Sequence, residues 1–278
     1  LSDVIFIKKR ASRIVAPFLF WSTIYFFIGW GFDFQKLLTL RFLQDILYGT
    51  ASYHLYFIPT LILFYLAFPW LHSILKFLKN PYVLSSIVVL QFAVQFKDYY
   101  HGQINIQENL RIALLSISVF ILGMTASHEK ERLYTFIKRR KNILFMFLAL
   151  ITTVIFFHVR DITLTKHTAG YIYNQYSPLN FVYTVLLAMV LFYFLEKTQF
   201  FKRIFVALSK LSFFVFFIHV FVLNFLWDNA VIFFIKIYGK QILTNIWFDP
   251  LLFALIAVFS FTIAYLIHKI PNAYKITG

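Results

Sequence analysis

Long apolar stretches separated by short polar connectors recur along the whole chain. Most of them hold enough residues to cross a hydrocarbon core of about 30 Å as a helix that rises about 1.5 Å per residue. The pattern predicts an all-α fold, in which a single integral-membrane domain covers residues 1–278 as a polytopic bundle of about eight transmembrane helices. The predicted spans are 14–31, 54–75, 82–96, 110–126, 142–158, 178–195, 209–227 and 249–268.

Two local patterns modify this picture. Residues 32–53 are amphipathic and too polar to span, which predicts a segment lying along the outer membrane interface.

Pro17 falls early in the first predicted span, where its missing N–H costs little. Pro59 and Pro69 fall inside or near the end of the second span, where they would free the carbonyls of Leu55 and Tyr65, so we expect this helix to be kinked.

Composition agrees with a membrane protein, since 61% of the residues are hydrophobic and 13% are charged, with a mean hydropathy of +0.76. The net charge of +15 raises the question of nucleic acid. A nucleic-acid groove needs a continuous basic face, whereas here the basic residues cluster in connectors, so we predict no nucleic-acid partner.

The distribution of the basic residues predicts the orientation. Of the 26 Lys and Arg, 18 lie in connectors on one side of the predicted bundle, which makes that side cytoplasmic. The chain is therefore predicted to be a multi-pass protein of the inner (cytoplasmic) membrane with both visible termini in the cytoplasm. The strongest anchor, residues 129–141, is also suited to binding anionic lipids.

Few polar or ionisable groups fall at the predicted bilayer depth, where each is costly and therefore a functional candidate. His219 lies in mid-span and shares a helix face with Ser212, seven residues earlier. His54 opens the second span and shares a face with Tyr65. His219 is either a packing residue bonded to a neighbouring helix or a functional one, and His54 either anchors the helix at the interface or lines a cavity.

Arg10 and Arg13 stand one turn apart before the first span. Positive-inside anchoring explains them, but two guanidiniums can also hold the phosphate oxygens of a cytoplasmic donor. No histidine spacing predicts a metal site, and the absence of cysteine excludes thiolate ligands. Five acidic residues map to the outer side, either as a polar vestibule for a sugar or as solvated loop charges: Asp45, Glu108, Asp161, Asp228 and Asp249.

Three segments, in this order, resemble motifs of one enzyme family. Residues 8–21 resemble an Arg-x-x-Arg-Ile-x-x-Pro-aromatic segment. Residues 53–69 resemble a segment beginning His-Leu-Trp-Phe-Leu-Pro, with Tyr56 in place of Trp. Residues 211–219 resemble a Ser-x-x-x-Tyr-x-x-His element, with Phe216 in place of Tyr. The family resembled is acyltransferase family 3, whose members are polytopic membrane enzymes.

The resemblance implies an O-acyltransferase that moves an acyl group from cytoplasmic acyl-CoA to a hydroxyl of a cell-envelope glycan or another extracytoplasmic acceptor. The nearest subgroup is the poly-N-acetylglucosamine O-succinyltransferase type. A histidine in the first span is held to be catalytic in this family. That histidine and the first two spans would precede Leu1, so the main catalytic residue is not identified in the chain, and we expect the fragment not to catalyse alone.

The resemblance also implies roles for individual residues. Arg10 and Arg13 would bind the donor, and the cavity would be lined by His54, Tyr56, Tyr65, Ser212 and His219. Implied partners are membrane lipids, the glycan acceptor and a polysaccharide synthesis machinery, with no metal. The alternatives are an exporter or transporter of a polysaccharide or lipid-linked sugar, and a non-catalytic assembly subunit. Neither inverted repeats nor midplane acidic residues, which are typical of transporters, are visible.

Overall fold

The computed structural model describes residues 3–31, 33, 35, 39–166, 177–239, 242, 243, 245 and 247–270, without the side chains of residues 3–12, 30 and 159–166. The regular structure of this part of the chain is helical, which confirms the predicted all-α class. The helices are α1 (Asp3–Trp30), α2 (Leu40–Tyr48), α3 (Phe57–Ser73), α4 (Leu75–Leu78), α5 (Pro81–Tyr100), α6 (Glu108–His128), α7 (Lys130–Lys166), α8 (Pro178–Lys197), α9 (Gln199–Ser209), α10 (Ser212–Leu226), a π-turn (Trp227–Val231), α11 (Ile232–Tyr238) and α12 (Phe248–His268).

Several helices are built to cross a membrane. In the described part of the chain, five are long and apolar enough: Glu108–His128, Lys130–His158, Pro178–Lys197, Ser212–Tyr238 and Phe248–His268. Shorter apolar helices, Arg13–Gly29 and Phe57–Ser73, coincide with two further predicted spans. The remaining predicted span, 82–96, lies within the more polar α5. The polytopic helix bundle is thus confirmed, and the number of eight spans stays a prediction.

Three segments predicted as connectors are helical instead. Helix α1 begins at Asp3, so Pro17 lies in its interior and supplies no N–H to the carbonyl of Arg13. The basic segment 129–141 forms the first turns of α7. Residues 199–209 form the amphipathic helix α9, whose apolar side chains are largely exposed. Amphipathic and basic patterns of this kind resemble loops in sequence because they lack a long apolar run.

The second predicted span begins later than expected. Helix α3 starts at Phe57, which places Pro59 in its first turn rather than inside it. The carbonyl of Leu55 accepts a hydrogen bond from the N–H of Ile58 at 3.0 Å, so the predicted loss of its partner was wrong. Pro69 lies inside α3, as predicted.

The predicted span 209–227 continues beyond its expected end. The N–H of Ile232 bonds to the carbonyl of Trp227, which closes a π-turn between α10 and α11. Such a turn holds one residue more than an α-helical turn. The predicted connector 228–248 therefore begins as a helix.

Contacts between helices divide the chain into two compact units, one of Leu1–Pro59 with Arg203–Gly278 and one of Thr60–Lys202. In the first unit, Trp21 of α1 stacks on Phe217 of α10 with ring centroids 6.2 Å apart. Phe26 packs edge-on against Phe42 of α2 at 4.9 Å, and α10 packs along α12. The prediction of a single domain stays a prediction.

In the second unit, the buried residues Leu71, Leu78 and Ile121 form a core that joins α3, α4 and α6. Phe64 of α3 stacks on Phe120 of α6 with centroids 4.9 Å apart. Helix α7 packs along α8. These contacts involve the apolar faces of α3, α4, α6, α7 and α8, and α5 packs against α4, α6 and α8.

Buried amides join α5 to α6. The Nε2 of Gln91 donates to the carbonyl of Leu114 at 3.2 Å, and its Oε1 accepts from the N–H of Ser118 at 3.2 Å. One turn along α5, the Nε2 of Gln95 donates to the carbonyl of Leu115 at 2.8 Å. Because these bonds run from side chains of one helix to the backbone of the other, they fix the register between α5 and α6.

A buried ion pair closes the end of this helix pair. Arg111 Nη1 lies 2.7 Å from Asp98 Oδ2, and the two side chains are only 6% and 3% exposed. Arg111 also contacts Glu108 at 2.6 Å, while Asp98 accepts from the N–H of Ile104 at 2.8 Å. Asp98 falls in the connector between the predicted spans 82–96 and 110–126, and Arg111 falls at the start of the second of these spans. In the structure they lie on α5 and α6, and both side chains are buried.

Replacing Arg111 by Met should destabilise the protein strongly, because the carboxylate of Asp98 would stay buried without its cation. Breaking such a pair costs about 3–5 kcal/mol, and we expect this loss in the free energy of unfolding measured in detergent micelles. As a control, Glu196→Gln breaks the more exposed pair with Lys130 and should cost less than about 1 kcal/mol. Equal losses of unfolding free energy in the two variants would show that the buried pair of Arg111 and Asp98 does not stabilise the protein more than an exposed pair does.

Candidate functional site

Three segments of the first unit bring two histidines together. The ring centroids of His54, in the turn before α3, and His219, on α10, are 5.1 Å apart. Tyr25 of α1 lies edge-on to His54 at 5.1 Å, and Phe216 lies 5.3 Å from the same ring. We call these four residues the histidine cluster. The sequence singled out both histidines, and their predicted role in lining a cavity stays a prediction.

The turn that carries His54 depends on Gly49. This residue ends α2 in the left-handed conformation with φ of 68°. A Cβ added there would lie 2.6 Å from the carbonyl oxygen of Leu55 and 2.8 Å from the Cα of Tyr56. Glycine therefore allows residues 49–56 to fold back on themselves, with His54 inside the fold.

Asp45 holds the other side of this turn. It is buried in α2, accepts a hydrogen bond from the hydroxyl of Thr50, and pairs with Arg41 at 3.3 Å. The sequence offered a sugar vestibule or a solvated loop charge for this residue, and it is neither. Of the other acidic candidates, Glu108 pairs with Arg111, Asp228 and Asp249 are exposed, and the side chain of Asp161 lies outside the described residues.

The backbone of its own helix fixes the ring of His219. Its Nδ1 lies 2.8 Å from the carbonyl oxygen of Phe216 and 3.2 Å from that of Val215. Carbonyl oxygens only accept hydrogen bonds, so Nδ1 must carry the proton, and the neutral ring then has its lone pair on Nε2. Nε2 makes no hydrogen bond to any described residue, and the side chain is half-buried. His219 is therefore arranged as a hydrogen-bond acceptor or base.

His54 lies deeper than His219. Its Nδ1 is 3.2 Å from the hydroxyl oxygen of Ser52, which can donate or accept. Its Nε2 is buried and has no hydrogen-bond partner within the described part of the chain. An unpaired buried polar atom typically costs about 1–3 kcal/mol. Such a cost next to a second histidine favours a functional interpretation of the cluster.

Tyr25 is a cluster residue that the sequence analysis missed. Its hydroxyl donates to the carbonyl of Phe217 at 2.7 Å, which ties α1 to α10 behind the histidines. The available signal was a tyrosine in an apolar span, one turn after Trp21 and on the same face, since its hydroxyl needs a partner at that depth. The partner itself could not be predicted, because it is a backbone atom from a distant segment.

The other predicted site residues lie outside the cluster. Ser212 is exposed at the start of α10, where its hydroxyl donates to the carbonyl of Ser209 at 2.8 Å. Tyr56 is half-buried in the turn, and Tyr65 is a half-buried residue of the second unit. Arg13 is exposed on α1, and the side chain of Arg10 lies outside the described residues.

No three side chains of His, Asp or Glu among the described residues lie close enough to share a metal ion.

Comparison with protein families gives one decisive result: the model described as "Acyltransferase domain" of acyltransferase family 3 matches residues 2–269. The chain belongs to acyltransferase family 3. No curated protein and no solved structure gives a match. The protein is thus a multi-pass membrane acyltransferase, as the resemblance implied.

One departure of this acyltransferase from the motif it resembles has a structural counterpart. Phe216 stands where the motif has tyrosine, and its ring packs 5.3 Å from His54 and 6.1 Å from His219. A phenyl ring cannot donate a hydrogen bond. The phenolic hydroxyl of this cluster is that of Tyr25 on α1, and it donates to the carbonyl of Phe217.

Gly49→Ala should disrupt the turn of the acyltransferase that carries His54. The control is Gly31→Ala, because Gly31 has a similar φ of 72° but a Cβ added there would meet no atom within 4 Å. An alanine in the left-handed conformation costs about 1–2 kcal/mol by itself. The free energy of unfolding of the control, measured by thermal unfolding, should therefore fall by about this much. The free energy of unfolding of Gly49→Ala should fall by more, because the added methyl group also collides with the backbone of Leu55 and Tyr56. Similar losses would mean that the close contact is unimportant.

Proposed function

We propose that this acyltransferase moves an acyl group from cytoplasmic acyl-CoA to a hydroxyl of a cell-envelope glycan. The observation that carries the proposal is the histidine cluster, in which the helix backbone leaves the lone pair of His219 Nε2 available beside His54. Family membership supports acyl transfer in general. The bias of basic residues towards one side supports an inner-membrane location with both termini cytoplasmic.

The cluster suits the acceptor end of the reaction. The acceptor hydroxyl donates its hydrogen bond to His219 Nε2, and its oxygen attacks the carbonyl carbon of the thioester as the proton moves to the imidazole. The carbon–sulfur bond then breaks, and the proton passes from the imidazole to the departing thiolate of coenzyme A. The products are an ester and a free thiol, so the histidine returns to its starting state.

The proposed donor end lies on α1. Arg13 is exposed and stands twelve residues before Tyr25 in the same helix, so the two are about 18 Å apart along the helix axis. The pantetheine arm of coenzyme A is an extended chain suited to a separation of this order. The phosphates of the coenzyme would then lie at Arg13, with Arg10 one turn earlier on the same helix.

The surroundings of His54 support a sugar as the acceptor. Tyr53 precedes it and Phe57 follows three residues later, and these two side chains are 66% and 45% exposed. Exposed aromatic rings offer flat apolar faces to the C–H bonds of a sugar ring. Poly-N-acetylglucosamine is the acceptor and succinyl the acyl group that the resemblance favours, and a polysaccharide synthesis machinery would supply that acceptor.

His219→Gln should lower kcat by about 100-fold or more, because glutamine cannot take the proton of the acceptor hydroxyl. The substitution is made in the whole gene, and the assay follows label from acyl-CoA into poly-N-acetylglucosamine in membranes of cells that express it. His268→Gln, at the exposed end of α12, is the matched control and should keep full activity. An unchanged kcat in His219→Gln would reject the role of His219. Uptake of unmodified glycan without consumption of acyl-CoA would support export instead.

Arg13→Ala should raise the KM for acyl-CoA by about tenfold, the usual effect of losing one hydrogen bond to a charged group. The KM for the glycan should stay the same, since Arg13 belongs to the proposed donor end. Arg203→Ala on α9 removes another exposed arginine and serves as the control. If both variants raise the KM equally, a general effect of surface charge explains the result.

A further inference from the structure

An apolar groove of about 610 Å³ runs along the second unit. Its walls come from the start of α5, the second half of α6, the first turns of α7 and the middle of α8. The apolar lining includes Leu84, Val119, Gly123, Val185, Ala188 and Phe192, and charged side chains occur at one end only. The groove therefore has the form of an amphipathic binding site, apolar along its length and polar at its mouth.

The mouth of the groove carries a net positive charge. Lys79 Nζ lies 2.9 Å from Glu129 Oε1, and Arg132 lies in the same wall and is exposed. The hydrogen bond from Lys79 lowers the pKa of Glu129, so this carboxylate is ionised at neutral pH. Two cations thus face one anion. The mouth also adjoins the amino end of α7, where the helix dipole favours a negative charge.

The space in the groove is open, as Gly123 demonstrates. A Cβ added to this residue would meet no atom within 4 Å. Val119 and Ala188 are exposed on either side of it, so the groove opens laterally, towards the surroundings of the helices. In a membrane these surroundings are lipid.

We propose that the groove binds one acyl chain of an anionic phospholipid, with the lipid phosphate beside Arg132 and Lys79. Helix α8 lines the groove from Thr184 to Phe192, about 12 Å along the axis, which suits part of an acyl chain. Small residues at Gly123 and Ala188 leave a channel suited to one chain. Basic pockets between helices on the cytoplasmic side are known to suit anionic headgroups, and the mouth lies in the connectors that we predict to be cytoplasmic.

The test fills the groove without touching its charges. Wild-type protein and Gly123→Leu are purified as full chains in detergent, given phosphatidylglycerol or phosphatidylcholine, and weighed intact by native mass spectrometry. Gly123→Leu should retain about tenfold less phosphatidylglycerol, the effect of excluding roughly two methylene groups. The matched control is Gly29→Leu, because a Cβ at Gly29 on α1 also meets no atom within 4 Å. This control should bind like wild type.

A second comparison tests the charge. Arg132→Gln should weaken the binding of phosphatidylglycerol and leave that of phosphatidylcholine unchanged. The proposal is overturned if Gly123→Leu retains as much phosphatidylglycerol as wild type, or if the two lipids bind equally to wild type. Displacement of the lipid by glycerol phosphate alone would mean that only the headgroup is bound. Loss of a dimer, rather than of lipid, in Gly123→Leu would assign the groove to a second copy of the chain.

A fluorescence measurement decides the case if Gly123→Leu does not fold. Phe192→Trp introduces an indole into the groove wall. The quenching that this indole adds to that of the five native tryptophans, obtained by subtracting the wild-type signal, is compared in vesicles that contain phosphatidylglycerol or phosphatidylcholine with brominated acyl chains. Stronger quenching by the anionic lipid at equal mole fraction supports the site. Equal quenching by both lipids overturns it.

Discussion

A polar side chain buried between helices has no water to bond with, so it needs a partner within the protein. In this acyltransferase, Gln91 meets that need through the backbone of Leu114 and Ser118, the Nε2 of Gln95 through the carbonyl of Leu115, and Tyr25 through a carbonyl of α10. An apolar side chain has nearly the same free energy in lipid as against another helix, so apolar contacts do little to determine which helices pack together. The few polar bonds therefore decide which helix faces meet.

The histidine cluster handles the same constraint in another way. His219 satisfies one ring nitrogen within its own helix and keeps the other for use, while His54 leaves Nε2 buried and unpaired among the described residues. Two features hold the cluster without using the Nε2 atoms of its histidines. One is the hydrogen bond from the hydroxyl of Tyr25 to a backbone carbonyl, and the other is the turn at Gly49. Its rigidity thus comes from the backbone, and its chemistry from the side chains.

The sequence predicted the helices well, because a long apolar run in a membrane protein has few other solutions. It failed where helices are polar: the first turns of α7, the amphipathic α9 and the buried Asp98 of α5 were all predicted as connectors. It singled out His54 and His219 because histidine is rare at the depth predicted for them, and the structure brings their rings to within 5.1 Å of each other. It could not find Tyr25 or the bent turn at Gly49, since both depend on contacts between segments distant in sequence.

The π-turn at Trp227–Val231 has a consequence for how the last part of α10 and α11 present their side chains. One additional residue in a helix rotates everything after it by about 100°. The exposed aromatic residues Phe233 and Phe234 are therefore rotated by about this angle from the positions that an unbroken α-helix would give them. The gain or loss of a single residue at this turn would therefore change the orientation of the side chains of α11 while leaving those of α10, including His219, in place.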